Sequence, residues 1–305
     1  MEIHQLTYFI AVAETGGFSR AARRCHVAQP SLSQQIMKLE QELGQPLFDR
    51  LGRTVTLTEA GQALLPHARA VLAEVQTIKR GLTDQIEAGY GHLSVGFIPT
   101  IAPFLLPAIL RTFTERYPQA ELAVHEDLTE SLIRGLVRGE LDVGIMSLPI
   151  NNKQIVTEEL FTEPLLVAFS RQNELVNRTS LRTKDLEAFP FIALNEVHCF
   201  GEQVQSFCYQ QDITIDIVCY TSQLATVQNC VACGLGISLV PQMLAASDHS
   251  GQIQYLAIND DPPQRKVVAA SHGSRMSSFL AQAFVEVVKE AYVKLETSFK
   301  RTLGQ

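Results

Sequence analysis

Residues 20–44 read RAARRCHVAQPSLSQQIMKLEQELG. Ser19, immediately before, is placed to cap a short helix through RAARRC, and HVAQP makes a turn ahead of Pro30, a residue favoured at the first position of a helix. A second helix follows at once, because Leu32, Ile36, Leu39 and Leu43 recur at helical spacing and Gly44 supplies the stop. Ser31, Ser33, Gln34, Gln35 and Lys38 fall largely off that apolar stripe. Two short helices joined by a tight turn, the second presenting small polar and amide side chains, is a helix-turn-helix arrangement. Its chemistry suits a major groove: Gln takes an adenine edge bidentately, Ser serves base or phosphate, and a helix N-terminus attracts phosphate. Downstream, FDRLGRTVTLTEAG offers Arg50 and Arg53 on a two-strand wing. On spacing alone the same residues also read as a solvated polar face.

The bulk numbers leave room for this reading. A chain of 305 residues exceeds one ordinary core, so two or three domains are expected. With 46% hydrophobic and 19% charged residues it is not a disordered chain. No apolar run approaches the ~20 residues of a membrane helix; the most apolar stretch, FIPTIAPFLLPAIL, is broken by Pro99, Pro103 and Pro107. The opening MEIHQLTYF has no basic region of a secretory signal, so the expected location is the cytoplasm, with no membrane partner. The net charge of −7 argues against nucleic acid only when taken whole. Residues 1–90 hold nine Lys/Arg and nine Asp/Glu, so the negative excess lies entirely beyond them.

Thr58 to Ala88 reads as one long helix with an apolar stripe of Leu64, Ala68, Val71, Leu72, Val75, Ile78 and Leu82. No small core follows to bury it, so a partner chain is the expected cover. Strands and amphipathic helices then alternate: LSVGF, LLPAILRTFTERYP, ELAVHE, SLIRGLVRGE and LDVGIM. A second round runs PFIALN, EQVQSFCYQ, IDIVCY, LATVQNCVACG and GISLVP. This is α/β punctuation with parallel strands, and it suggests a two-lobed, periplasmic-binding-protein-like effector domain with a cleft between the lobes. The expected division is a winged helix-turn-helix over 1–58, a linker helix over 59–90 and an effector domain over 91–305. Within the last, lobe I comprises 91–161 and 268–305, and lobe II comprises 162–267.

Six cysteines stand at 25, 199, 208, 219, 230 and 233, too sparse for a secreted disulfide scaffold. Phe200, Val204, Phe207 and Cys208 can share one helical face, which places Cys208 in a core and Cys199 at the start of the helix. There the positive end of the helix dipole favours thiolate, and a protonated His198 would add to the effect. An unbroken helix separates the two Cα atoms by ~13 Å, from a rise of ~1.5 Å per residue. A disulfide tolerates ~7 Å, so a bond could form only if the helix unwinds. On spacing alone the pair reads as two unrelated core cysteines. The C-x-x-C of Cys230 and Cys233 reads as core packing at a helix end, and Cys25 and Cys219 as small buried residues. No second Cys/His pair with zinc spacing accompanies them, so no metal and no cofactor is expected.

The stretch FIAVAETGGFSRAARRCHVAQPSLSQQIMKLEQELGQPLFDRLGRTVTLTEAG (9–61) resembles the winged helix-turn-helix of LysR-type transcriptional regulators along its whole length. The resemblance puts Gln29, Pro30, Ser31, Ser33, Gln34 and Lys38 on the DNA-reading part and Arg50 and Arg53 on the wing. Gln34 departs from the basic residue of many relatives. The linker helix is then implied to dimerise two readers on a partly palindromic double-stranded operator. HCFGEQVQSFC (198–208) is similar to the redox segment of the peroxide-sensing members of this family. That implies Cys199 as the peroxidatic and Cys208 as the resolving cysteine, with His198 beside them. IPTIAPFLLP and HEDLT imply Thr100 and Thr129 as the lining of a peroxide pocket, and PPQRKVV implies Arg265 near it. Two departures stand out: Gly201 replaces a basic residue, and Glu202 an aspartate. The implied partners are DNA, hydrogen peroxide, a homodimer or homotetramer, and RNA polymerase. The expectation is a regulator and not an enzyme, since a thiol peroxidase has no use for a DNA reader. A metabolite-binding cleft with both cysteines structural is the alternative.

Overall fold

A computed structural model describes residues 1–49, 55–86, 89–195 and 199–302. They form two compact units whose main boundary falls after Leu82. The first contains α1 (Ile3–Thr15), α2 (Phe18–Arg24), α3 (Gln29–Leu43), the strands β1 (Phe48–Asp49) and β2 (Thr56–Leu57), and α4 (Glu59–Ile86). Phe48 pairs with Leu57 and Asp49 with Thr56, antiparallel.

Leu6, Phe9 and Val12 of α1 meet Ala21 and Ala22 of α2 and Leu32, Ile36 and Leu39 of α3 in one core. Two local expectations are corrected. Gly17, not Ser19, is the N-cap of α2. Phe18 is drawn in against Phe48, with ring centroids 5.8 Å apart, so the helix begins ahead of Ser19. Leu43 is exposed, and Leu47 is buried in its stead beyond the Gly44 turn. Gly44 does end α3, with a left-handed φ of 69° that a side chain would resist.

The α4 stripe is also covered differently from expectation. Leu64, Leu65, Ala68 and Leu72 pack on this same N-terminal core, because α4 starts directly beside it. Val71 and Ile78 are exposed, at 41% and 57%, with Val75 half-buried between them.

The second unit opens with β3 (Gly91–Phe97), α5 (Ala102–Arg116), β4 (Ala120–Glu126), α6 (Thr129–Arg138) and β5 (Val143–Ser147). A long β6 (Ile155–Ser170) leads to β7 (Pro190–Leu194), α7 (Cys199–Gln210), β8 (Asp216–Thr221), α8 (Leu224–Ala232), β9 (Ser238–Pro241), α9 (Gln242–Ser247) and β10 (Ile253–Leu256). The unit closes with β11 (Gln264–His272) and α10 (Phe279–Thr302). β3 pairs in parallel with β4 and β5, and β7 with β8, as crossover helices require.

The joint between lobes is antiparallel. β6 pairs with β11 from Ile155 to Pro164, then with β9 and β10 from Leu165 to Ser170. One continuous strand therefore belongs to both lobes. Each lobe has its own core: one gathers Phe97, Ile109, Phe113 and Phe284, the other Phe169, Phe191, Phe200 and Ile237. Phe104 packs against both.

Candidate functional site

The polar face of α3 stands clear of the core. Gln29, Pro30, Ser31, Gln34 and Lys38 are exposed and Ser33 is half-buried, whereas Gln35 accepts a hydrogen bond of 3.2 Å from Gln5 Nε2. Gln35 therefore positions α3 on α1 and is less free to meet a base. Arg50 and Arg53 lie outside the described residues.

A second site lies where three helices begin. Thr100 sits two residues ahead of α5, Thr129 is the first residue of α6, and Cys199 is the first of α7. Ile98, Pro99, Thr100, Leu128, Thr129 and Cys199 line a narrow, tightly closed cleft. Helix N-termini expose unpaired N–H groups and the positive end of a dipole, so three of them favour an anion here. Cys199 belongs to a lobe II helix yet packs on the lobe I core. His198 lies outside the described residues.

Beneath the cleft is a buried charge. Arg265 is 2% exposed and forms an ion pair of 2.7 Å with Glu163, directly opposite it in the β6–β11 register. Its Nη1 donates to Thr100 Oγ1 at 2.9 Å and its Nη2 to the Thr100 carbonyl at 3.2 Å. The guanidinium also lies 5.3 Å from the Phe200 ring centroid, a cation–π contact with the neighbour of Cys199. Burial pushes the Glu163 carboxyl up, opposed by Arg265 and by a 2.6 Å hydrogen bond from the Met243 N–H. The 2.7 Å contact with Arg265 and the Met243 hydrogen bond are what offset that burial.

Two hydroxyls have capacity to spare. Thr100 Oγ1 accepts from Arg265, which leaves its own proton free to donate. Thr129 Oγ1 is buried with no hydrogen bond of good geometry, although it faces Cys199 closely enough to lower the thiol pKa. A buried hydroxyl without a well-aligned partner costs about 1–3 kcal/mol, so Thr129 Oγ1 is held beside Cys199 by the packing around it and not by a strong hydrogen bond of its own.

The helix dipole does not win at Cys199, contrary to the expectation of a favoured thiolate. Burial pushes its pKa above the ordinary value and is the largest effect, with Thr129, Arg265 and the Phe200 N–H pulling it down and Glu202 pushing it up. Cys208 is 4% exposed in the lobe II core, and burial raises its thiol to about 11. Both are free thiols at opposite ends of the unbroken α7. They are ~13 Å apart by helical rise.

Sequence reading missed two residues that matter. Glu163 is one of three acids in β6, and only its register against Arg265 singles it out. Gln203 of α7 donates to Ser147 Oγ at 2.8 Å and to the Leu148 carbonyl, which ties the helix to the end of β5. Gly201, read as a lost charge, is a packing requirement. A Cβ there would stand 2.6 Å from the carbonyl oxygens of both Leu194 and Asn195.

Comparison with known proteins bears on both sites. Residues 3–62 match the bacterial regulatory helix-turn-helix model of the lysR family, and residues 88–293 match the LysR substrate binding domain. The chain is 34% identical over 306 aligned positions to the DNA-binding transcriptional dual regulator OxyR of Escherichia coli K12, covering 100% of this chain and 99% of that one. Full-length OxyR of Pseudomonas aeruginosa, in a cysteine-to-aspartate form, superposes with a TM-score of 0.76 at 33% identity, covering 95% and 94%. A hydrogen-peroxide-bound cysteine-to-serine OxyR of Corynebacterium glutamicum gives 0.68 at 29% identity, covering 99% and 95%.

Proposed function

The chain belongs to the LysR family of DNA-binding transcriptional regulators and is related to the OxyR peroxide sensors; from that premise we propose that it senses hydrogen peroxide through a reversible Cys199–Cys208 disulfide. The observation that carries this reading is the cleft itself. It brings a cysteine and two threonines with unused hydrogen-bonding capacity to one small space, with a buried arginine bonded to one of the threonines behind it.

In the first step the Cys199 thiolate attacks one peroxide oxygen. An S–O bond forms as the O–O bond breaks, the departing oxygen takes a proton and leaves as water, and the sulfur becomes a sulfenic acid. Thr129 holds the peroxide against the sulfur and Thr100 donates to the departing oxygen. In the second step the Cys208 sulfur attacks that of Cys199, the S–O bond breaks, and a second water leaves. This cannot happen along an intact α7, so the helix unwinds, Cys208 leaves the core and lobe II takes a second packing. A dithiol reductant then reduces the disulfide to the two thiols by exchange, becoming a disulfide itself, and so resets the switch. His198 beside Cys199 is assigned to the same pocket.

The reader is assigned to residues 1–58, with Gln29, Pro30, Ser31, Ser33, Gln34 and Lys38 of α3 and Arg50 and Arg53 of the wing on DNA. The exposed Val71 and Ile78 of α4 support pairing of two chains through residues 59–90. Two readers then meet a partly palindromic operator, as a homodimer or, through the effector domains of 91–305, a homotetramer. Changed spacing between readers on oxidation is the signal passed to RNA polymerase.

The test is DNA binding in two redox states. Genomic fragments captured by the reduced protein are footprinted before and after a brief, near-stoichiometric peroxide pulse. The protected length changes in the native protein and not in Cys199→Ser. An identical footprint in both states would refute the sensor role.

A further inference from the structure

Lobe I carries a cavity that the peroxide chemistry does not use. Strands β5, β6 and β11 form its floor, the end of α5 and the first turns of α10 its walls, and its volume is about 650 Å³. Small-molecule sites run to ~300–1,000 Å³. Val143 and Ala269 of the sheet and Ala281 and Val285 of α10 are buried in the lining, so its deep part is apolar, and their small side chains leave the space open. Two rings stand at one side. Tyr117, the C-cap of α5, and Phe279, the first residue of α10, meet edge-on with centroids 5.9 Å apart. Phe279 is still 42% exposed.

The charged part of the lining is acidic. Asp142, Glu158 and Glu286 stand in it against one base, Arg116. Arg116 is clamped by both oxygens of Glu290, at 2.9 and 2.6 Å. Lys289 is held by Glu158 Oε1 and Glu286 Oε1, at 2.7 and 2.8 Å. With these partners counted, four acids face two bases, and both bases are engaged. An anion would have to break an ion pair to find a base here. A carboxylate accepts through both oxygens, so Glu158 and Glu286 keep capacity for a second cation beside Lys289. A ring face attracts a cation as well.

We propose that this cavity binds an aromatic amine, with its ring against Phe279 and the apolar floor and its ammonium at the Glu158 and Glu286 carboxylates. A bound amine joins α10 to β6, the strand shared by both lobes, and so gives the regulator an input that needs no thiol chemistry. The site stands or falls independently of the role given to Cys199.

The experiment titrates tryptamine into the reduced full-length protein. The chain has no tryptophan, so polarisation of the indole emission, excited beyond the tyrosine band, reports bound amine directly. The expected result is saturable binding at one site per chain, with indole-3-propionate, which carries the opposite charge, bound about tenfold more weakly or worse. Replacing Glu158 and Glu286 together, E158Q with E286Q, lowers the affinity for tryptamine about tenfold, the scale of hydrogen bonds to a charged group. Gln282→Phe lies in the lining on the exposed side of α10, so it keeps the charge and fills the space. It abolishes binding with circular dichroism unchanged. Equal binding of the two indoles, no saturable binding of tryptamine, or full affinity in folded Gln282→Phe would overturn the proposal.

Discussion

The cleft around Cys199 is made of two halves that differ in how they are held. On one side, Thr100, Arg265 and Glu163 are buried and locked by charge-assisted hydrogen bonds, with Arg265 and Glu163 opposite each other on adjacent strands. On the other, α7 is held by Phe200, Val204 and Cys208 in a core, by a close backbone contact at Gly201 and by Gln203. The fixed half can recognise and polarise a small oxidant without rearranging. The other half is a short helix, which local unfolding can release at far less cost than the strands. A sensor needs both: rigidity where the chemistry starts and a removable element where the signal is made.

Breaking the fixed half should cost most. Arg265→Met leaves Glu163 buried and unpaired, and removing one partner of a buried ion pair costs about 3–5 kcal/mol. The variant should melt well below the native protein, and peroxide should consume Cys199 more slowly. An unchanged melting temperature would show that the ion pair does not support the cleft. Loading the movable half costs less. Gly201→Ala places a methyl against two carbonyls, and overpacking of this kind costs about 1–3 kcal/mol. Hydrogen exchange along α7 should accelerate in the reduced protein while that of β6 and β11 stays unchanged.

Gln203→Leu removes the tie to β5, a loss of about 1 kcal/mol. It should speed the closing of the disulfide more than the first attack on peroxide, and quench-flow with sulfenic-acid trapping separates the two. The smallest effect is electrostatic. Burial holds the Cys199 thiol above its ordinary pKa, so its rate of reaction with peroxide rises with pH through the neutral range. Glu202→Gln removes the charge that adds to this, and the rate profile should move to lower pH. A shift to higher pH would mean that Glu202 acts on Cys199 in some other way.

How much of this was legible in the sequence follows from how local each feature is. The helix-turn-helix was readable because an amphipathic stripe, a proline and a glycine stop lie within one short window. The crossover strands and helices were readable for the same reason. The β6–β11 spine was not, since it joins residues about a hundred positions apart and depends on register. Arg265 was placed near the pocket only through resemblance, and Glu163 not at all, because an acid in a strand shows its purpose only once its partner stands opposite. The close packing at Gly201 was not legible, because a sequence displays the side chain that is missing and not the carbonyls that exclude it. The burial of Cys199 was likewise invisible, because the walls of its cleft come from α5 and α6, far away in the chain.

The measurement that bears most directly on the account is thiol mapping after a brief, near-stoichiometric peroxide pulse. The reduced full-length protein is treated, alkylated and digested with chymotrypsin, which cuts after Phe200 and Phe207 and so parts Cys199 from Cys208. The account predicts a Cys199–Cys208 link that forms within the pulse, is lost with dithiothreitol, and is accompanied by loss of exchange protection along α7. A Cys199 that remains open to alkylation at that dose, or a link formed with α7 still fully protected, would contradict it.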